Sequence, residues 1–347
     1  MNNQIIFGIL LIAIGAFSAG SFAVPFGKIK GWQWETYWMI YSIGAYVIFP
    51  LIACLVFAPG FVNVISSTPS GTLVSVFLLG AVYGIGNLSF GLALRYLGLS
   101  LGYALSLGLM LAIGTLIPPV LDGRLQIMVQ NSGGKLLILG VLVACVGIAL
   151  SAWSGILKDK SVSDEKKQES ISEFNLLKGL LAAGLVGVAG SAMSLGFEKG
   201  IPISDLSVSK GINPLFSMMP VMIVLLPGTL VTAIIWCISL GVRNRSLKEY
   251  SRVETGKVLS YNYIFGLLAG LLWFSQFIVY GMGKSKMGPY TFTSWGILMA
   301  LTIVFSTVWG IMLKEWKGVS AWIVFLMVLS LIILIISSFM IGISGSV

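Results

Sequence analysis

The chain has 347 residues, 57% of them hydrophobic and only 10% charged, with a mean hydropathy of +0.99 and a formal net charge of +9. That composition excludes an ordinary soluble domain and points to a multi-pass membrane protein. Histidine is absent and the three cysteines, Cys54, Cys145 and Cys237, fall in apolar runs, so neither a metal site nor a disulfide framework is expected.

About 20 apolar residues cross a bilayer as a helix. Ten such runs can be counted, at 5–25, 36–57, 73–94, 99–119, 136–155, 176–196, 215–240, 261–282, 290–313 and 320–342. The first follows no basic leader and is too long for a signal-peptide core, so it is expected to be retained as a helix. The predicted fold is an all-α integral membrane protein of ten transmembrane helices, which satisfy their own backbone groups. Fifteen of the 21 Lys and Arg residues lie in or beside the loops at 26–35, 95–98, 156–178, 241–260 and 314–319. The charge therefore reads as a topology signal rather than a nucleic-acid footprint, with these loops cytoplasmic and both termini outside.

In the first run, Ala19-Gly20-Ser21 recurs as Ala189-Gly190-Ser191 in the sixth, an offset of 170. Gly80, Gly91 and Gly98 match Gly270, Gly281 and Gly288 at an offset of 190, which places Tyr83 on Trp273. The expected organisation is two inverted five-helix repeats, 1–155 and 176–347, joined by a cytoplasmic linker at 156–175. Substrate sites in such folds lie near the midplane, between the repeats.

The second run is entered through Trp32-Gln33-Trp34-Glu35-Thr36-Tyr37-Trp38. Glu35 is either a solvated or helix-capping charge in an aromatic belt, or a protonatable group facing a cavity. In the third run Tyr83 and Asn87 are four apart and share a helix face, and an amide in hydrocarbon needs a partner. Arg95, in the short turn that follows, reads as a topology anchor or as a gate residue paired with Glu35. Pro118-Pro119 is expected to stop the fourth helix. The polar stretch with Asp159, Asp164, Glu165, Lys166, Lys167 and Glu169 reads as a solvated linker. Pro214, Pro220 and Pro227 predict kinks in the seventh run, where freed carbonyls either bind a ligand or simply bend the helix. The eighth puts Trp273, Gln276 and Tyr280 on one face. The ninth opens with Tyr290, Thr291, Thr293, Ser294 and Trp295, whose hydroxyls serve packing or a ligand.

No Walker-type phosphate loop and no mid-helix pair of acids is present, so an enzyme, a cofactor or ATP hydrolysis is not expected. The candidate binding set is Tyr83, Asn87, Trp273, Gln276, Tyr280, Ser294 and Trp295. Amides and hydroxyls beside indole rings suit a neutral polyhydroxylated solute; the competing reading is packing between helices.

Several strings carry a family resemblance: Trp34-Glu35-Thr36 with Trp38, Gly84-Ile85-Gly86-Asn87, Arg95-Tyr96-Leu97-Gly98, Gly114-Thr115-Leu116 and Glu173-Phe174-Asn175-Leu176. They continue through Pro214-Leu215, Gly270-Leu271 with Trp273, Gln276-Phe277 and Tyr280, Ser294-Trp295, and Leu313-Lys314-Glu315-Trp316. On these the chain resembles the L-rhamnose/proton symporters, a branch of the drug/metabolite transporter superfamily. The resemblance implies uptake of a 6-deoxyhexose such as L-rhamnose with a proton, by alternating access in a bacterial inner membrane, with Glu35 and Arg95 as proton-coupling or gate residues. The implied partners are the sugar, a proton or alternatively sodium, and the lipid bilayer, with the chain acting as a monomer or weak homodimer. Residues 290–293 depart from the family pattern, in which an acid precedes the Ser-Trp pair, and this leaves the particular sugar and ion open. A carrier or exporter of another sugar or metabolite is the alternative, and a membrane sensor or enzyme a remote one.

Overall fold

The computed structural model describes residues 3–121, 129–161, 173–251, 256–287 and 294–344, and every regular element among them is a helix. Thirteen helices of the α or mixed type follow in chain order. They are α1 (Asn3–Ser21), α2 (Trp34–Ile43), α3 (Phe49–Phe57), α4 (Phe61–Ser67), α5 (Ser70–Leu121), α6 (Ser132–Ser161) and α7 (Leu176–Gly190). The remainder are α8 (Ala192–Lys199), α9 (Ile201–Ser209), α10 (Met219–Arg243), α11 (Gly256–Lys286), α12 (Ser294–Met312) and α13 (Ala321–Ile343). Nine helical stretches among the described residues are long and apolar enough to cross a membrane.

The expected third and fourth runs fall in one helix, α5, whose apolar stretch Ser70–Gly114 is 45 residues long. A straight helix of that length would reach about 68 Å, twice the roughly 30 Å of hydrocarbon it has to cross. Gly98 breaks it, with φ 77° and ψ −178°, a conformation essentially closed to residues with a Cβ. The chain reverses there: the rings of Phe90 and Tyr103 sit 5.0 Å apart, where thirteen residues of straight helix would separate them by about 20 Å. The restarting helix has unpaired N–H groups in its first turn. Glu315, from the loop after α12, accepts two of them, from Leu99 (2.7 Å) and Ser100 (3.1 Å), while the Trp316 indole N–H donates to the Ser100 hydroxyl at 3.0 Å. Replacing Glu315 with Ala strands both donors, and we expect the variant to lose about 3 kcal/mol of stability, measurable as a lower melting temperature in detergent. An unchanged melting curve would contradict that capping role.

Small residues bring the helices together. α1 packs on α11, where Gly8 meets Gly283, and on α12, where Gly20 faces the backbone of Thr302 and Ser306. α7 lies in the same relation to the two arms of α5: Gly190 meets Gly86 on the first, and Gly187 meets Leu109 on the second. α10 packs on the first arm of α5 and α2 packs on α11, while α6 and α13 pair with each other. Without a hydrophobic force between helices in lipid, such close backbone approach is what holds them.

Hydrogen bonds join the first basic loop to the fourth and the helix after it, and the second to the third. Lys30 N–H donates to Asn262, Asn175 N–H donates to Tyr96, and the Glu249 carboxylate accepts from Gln33 N–H and the Thr36 hydroxyl, both at 2.7 Å. Lys158 differs from the other cations in this group. It is 2% exposed, has no hydrogen-bond acceptor among the described residues, and lies 4.7 Å over the Trp316 ring.

Three local expectations meet the structure differently. α5 runs on to Leu121, two residues past Pro118-Pro119, within the ordinary fraying of a helix end. Pro214 and Pro220 sit at helix starts, where the missing N–H costs nothing, so only Pro227 lies inside α10. α6 extends through Ser161 into the predicted linker, and residues 162–172 of that linker lie outside the described residues, as do Gly288 and the Tyr290, Thr291 and Thr293 hydroxyls.

Candidate functional site

A single helix face of α5 starts the site. Tyr83, Asn87 and Phe90, spaced by four and three residues, line with Gly86 a central cavity of about 480 Å³ of atom-free space, part of it open to solvent. Across it, α11 contributes Trp273, Gln276 and Phe277, and α12 contributes Trp295, Met299 and Thr302. The second arm of α5 adds Tyr103, Leu107 and Met110, while α1 supplies Ala19 and Phe22 and α7 supplies Val186 and Gly190. Residues 214–243 contribute nothing to this lining, so Pro214, Pro220 and Pro227 all lie outside it.

Asn87 is 3% exposed and held at both ends of its amide. Its side-chain carbonyl accepts from the Tyr46 hydroxyl at 2.5 Å and its amide nitrogen donates to the Tyr83 hydroxyl at 3.3 Å. Tyr46 reaches it from a π-helical turn, Gly44–Ile48, between α2 and α3. Such turns re-aim side chains that a regular helix would point elsewhere. The Tyr83 and Trp273 rings lie near parallel with centroids 6.4 Å apart, and Tyr46 meets Trp273 edge-on at 5.2 Å. Gln276 donates one amide hydrogen to the carbonyl of Trp273, in its own helix, at 2.7 Å. The Trp295 indole N–H, also in the cavity wall, has no acceptor among the described residues. A buried donor without a partner is expensive and invites a ligand oxygen.

Of the seven residues expected to bind solute, Tyr83, Asn87, Trp273, Gln276 and Trp295 line the cavity. Tyr280 stands behind it, edge-on to Trp295 with centroids 6.1 Å apart, and Ser294 is fully buried beside Trp295 with no partner for its hydroxyl among the described residues.

Glu35 and Arg95 are elsewhere, and not with each other. The Glu35 carboxylate, 2% exposed, accepts from the Asn244 amide at 3.0 Å and the Ser246 hydroxyl at 2.6 Å, both just past the end of α10. Arg95 makes a two-pronged pair with Glu173 at 2.5 and 2.7 Å, so of its two readings the pairing with Glu35 is not the one found. The planar guanidinium prefers this fork geometry. Phe22, Phe90 and Tyr103, all in the cavity lining, form a ring cluster, with the Tyr103 hydroxyl donating to the Ala19 carbonyl at 2.8 Å.

Sequence reasoning missed Tyr46, Tyr103, Met110, Met299 and Thr302. A signal was present for four of them: 103, 107 and 110, like 295, 299 and 302, follow the i, i+4, i+7 spacing of one helix face. Tyr46 had none, since its direction depends on the π turn.

Comparison with known proteins bears on what this cavity serves. A model of the L-rhamnose-proton symport protein family matches residues 1–346. A relative from Yersinia pestis (strain Pestoides F), called L-rhamnose-proton symporter, is 36% identical over 320 residues, covering 91% of each chain. One of the same name from Yersinia pseudotuberculosis serotype O:1b (strain IP 31758) matches to the same extent. No solved structure matches. With a whole-length family match and relatives at this identity, the chain belongs to the L-rhamnose-proton symport protein family.

Proposed function

We propose that the chain imports L-rhamnose together with a proton across the bacterial inner membrane, binding the sugar in the cavity that Tyr83, Asn87, Trp273, Gln276 and Trp295 line. The observation that carries this reading is that cavity: amide groups and an unpartnered indole N–H among flat rings, in a chain of the rhamnose symport family. Hydroxyls of a pyranose pair with the amides while its C–H face packs on an indole. Tyr280 and Ser294 complete the site as its outer support.

In this reading α5 forms two spans that reverse at Gly98, giving ten spans in two inverted five-helix repeats, 1–155 and 176–347, on either side of the linker. The helix pairings support it. α1 lies against α11 and α12 as α7 lies against the two arms of α5. Gly80 abuts the α10 backbone at Leu225, and Gly270 abuts the backbone at Tyr41 and Ala45. The basic loops then face the cytoplasm, and both termini lie outside.

Coupling is assigned to Glu35. Its carboxylate clasps Asn244 and Ser246, so it joins the first half to the second at the loop end. Protonation turns an accepting oxygen into a donor and weakens this clasp, which links the proton to opening of that end. The Arg95–Glu173 pair acts as part of the same closure. In vesicles, labelled L-rhamnose is expected to accumulate under an inward proton gradient, and no uptake of it or of another 6-deoxy sugar would overturn the proposal. Glu35→Gln is expected to abolish gradient-driven accumulation while leaving sugar exchange; normal accumulation in that variant would remove Glu35 as the proton carrier.

A further inference from the structure

The tyrosine that anchors the amide of Asn87 owes its direction to an irregular turn in its own helix. α2, the π turn Gly44–Ile48 and α3 run on as one apolar stretch, Trp34–Phe57. Tyr41 and Tyr46 are five residues apart, and a regular helix would point them about 140° away from each other. Here their ring centroids are 5.8 Å apart and their hydroxyls 3.5 Å apart, and both rings meet Trp273 edge-on, at 6.2 and 5.2 Å. The turn narrows the angle by using more residues per revolution: the Phe49 N–H donates to the Gly44 carbonyl, five residues back rather than four. The next residue is Pro50, which is buried. A proline inside a helix cannot bond to the carbonyl four residues back, and its ring collides with that carbonyl. For Pro50 the carbonyl belongs to Tyr46. Widening the turn moves it aside, and α11 seats against the widened backbone, where a Cβ on Gly270 would lie 2.9 Å from both the Ala45 nitrogen and the Tyr41 carbonyl oxygen.

We propose that Pro50 is a positioning residue for sugar binding: it imposes the wide turn that directs the Tyr46 hydroxyl onto the Asn87 carbonyl. The inference rests on the reading of the cavity as a sugar site and adds what prepares its amide. Neither Pro50 nor Tyr46 is among the lining residues, so both act through Asn87. The terminal torsion of an asparagine is broad, and an amide held only by Tyr83 would be free to swing about that contact. The second contact, 2.5 Å from the Tyr46 hydroxyl to the carbonyl, fixes the amide plane before the sugar arrives. Ordering that the empty site already carries is not charged against binding.

The test is calorimetric binding of L-rhamnose to the purified full-length protein. Pro50→Ala supplies an N–H for the Tyr46 carbonyl and lets the turn close to a regular helix, which carries the Tyr46 hydroxyl away from Asn87. Affinity should fall by about tenfold, the scale of one lost hydrogen bond. Pro50→Val restores the same N–H with a side chain nearer to proline in volume and should lose as much, so it carries the test where the alanine variant does not fold. Tyr46→Phe leaves no hydroxyl to direct, and on that background Pro50→Ala should change affinity by less than about twofold. A proline that only shapes the helix would cost the same factor on both backgrounds. That result, or parental affinity in either folded Pro50 variant, would overturn the positioning role while the sugar site stands. Wild-type protein that binds no L-rhamnose would overturn both.

Discussion

Asn87→Ala is expected to lower L-rhamnose affinity by about 100-fold, the largest loss from any single change in the cavity wall. That size follows from how the amide is held. It is held from both sides, by Tyr46 at its carbonyl and Tyr83 at its nitrogen, and it still has one amide hydrogen and a carbonyl lone pair for a hydroxyl. Truncation removes the sugar's partner and also releases two buried phenols, each of which loses its acceptor or donor. Leaving a buried polar group unpaired costs about 1–3 kcal/mol, and sites built to hydrogen-bond a substrate lose selectivity steeply when that group goes. Tyr46→Phe should separate the two contributions. It keeps the amide but loses its anchor, so affinity should fall by roughly tenfold, and the melting temperature should also fall because the Asn87 carbonyl loses its donor. Titration calorimetry on both variants checks this. Binding by Asn87→Ala within threefold of the wild type would place the sugar somewhere other than this cavity.

Gly80→Ala is expected to prevent folding, although it adds one methyl group to a helix. A Cβ at this position overlaps the carbonyl oxygen of Leu225 and comes within 2.8 Å of its carbonyl carbon, and neither is the movable end of a side chain. The contact is reciprocal: a Cβ on Gly228 of α10 overlaps the carbonyl of Phe77. Two hydroxyls lock the same seam, Thr229 donating to the Gly80 carbonyl at 2.9 Å and Thr232 to that of Ala81 at 2.8 Å. Separating the helices enough for the methyl would break both bonds and open the packed face, at a cost of about 3 kcal/mol or more. Gly71 supplies the control, because nothing lies within 4 Å of a Cβ there. Gly71→Ala should be neutral or stabilising by up to about 1 kcal/mol, from helix propensity alone. The readout is the monodisperse fraction after detergent extraction, followed by thermal melting. A Gly80→Ala protein as monodisperse and as stable as Gly71→Ala would show that the interface between α5 and α10 yields more readily than its backbone contacts indicate.

Two of the three glycine pairs matched at an offset of 190 can be compared contact by contact. Gly80 and Gly270 each receive a neighbouring backbone, from α10 and from the turn after α2, and Gly91 and Gly281 face the starts of α2 and α10, at Trp38 and Met218. Tyr83 and Trp273, matched by the same offset, stack on each other across the cavity. The amides do not follow it. At an offset of 190, Gln276 falls on Gly86 and Asn87 on Phe277. The pocket is therefore built from two similar helices with their hydrogen-bonding groups one residue out of step. A sugar has no two-fold symmetry, and an asymmetric set of donors and acceptors is what binding it in one orientation requires.

By itself the sequence determined what depends on composition and on the helical period. It showed that the chain is helical and membrane-embedded, which loops carry the cations, and that Tyr83 shares a face with Asn87 and Trp273 with Gln276. These are local properties, since hydropathy and a 3.6-residue period are complete within one helix. Only the tertiary structure decided that Arg95 takes Glu173 rather than Glu35, that Glu35 is clasped by Asn244 and Ser246, that Tyr46 anchors Asn87, and that Glu315 caps the helix restarting after Gly98. Each of those contacts joins residues from 41 to 216 positions apart, apart from whatever helix either one belongs to. A carboxylate carries no mark of which donor will reach it; that is settled by which helix faces pack, and so by the whole chain at once.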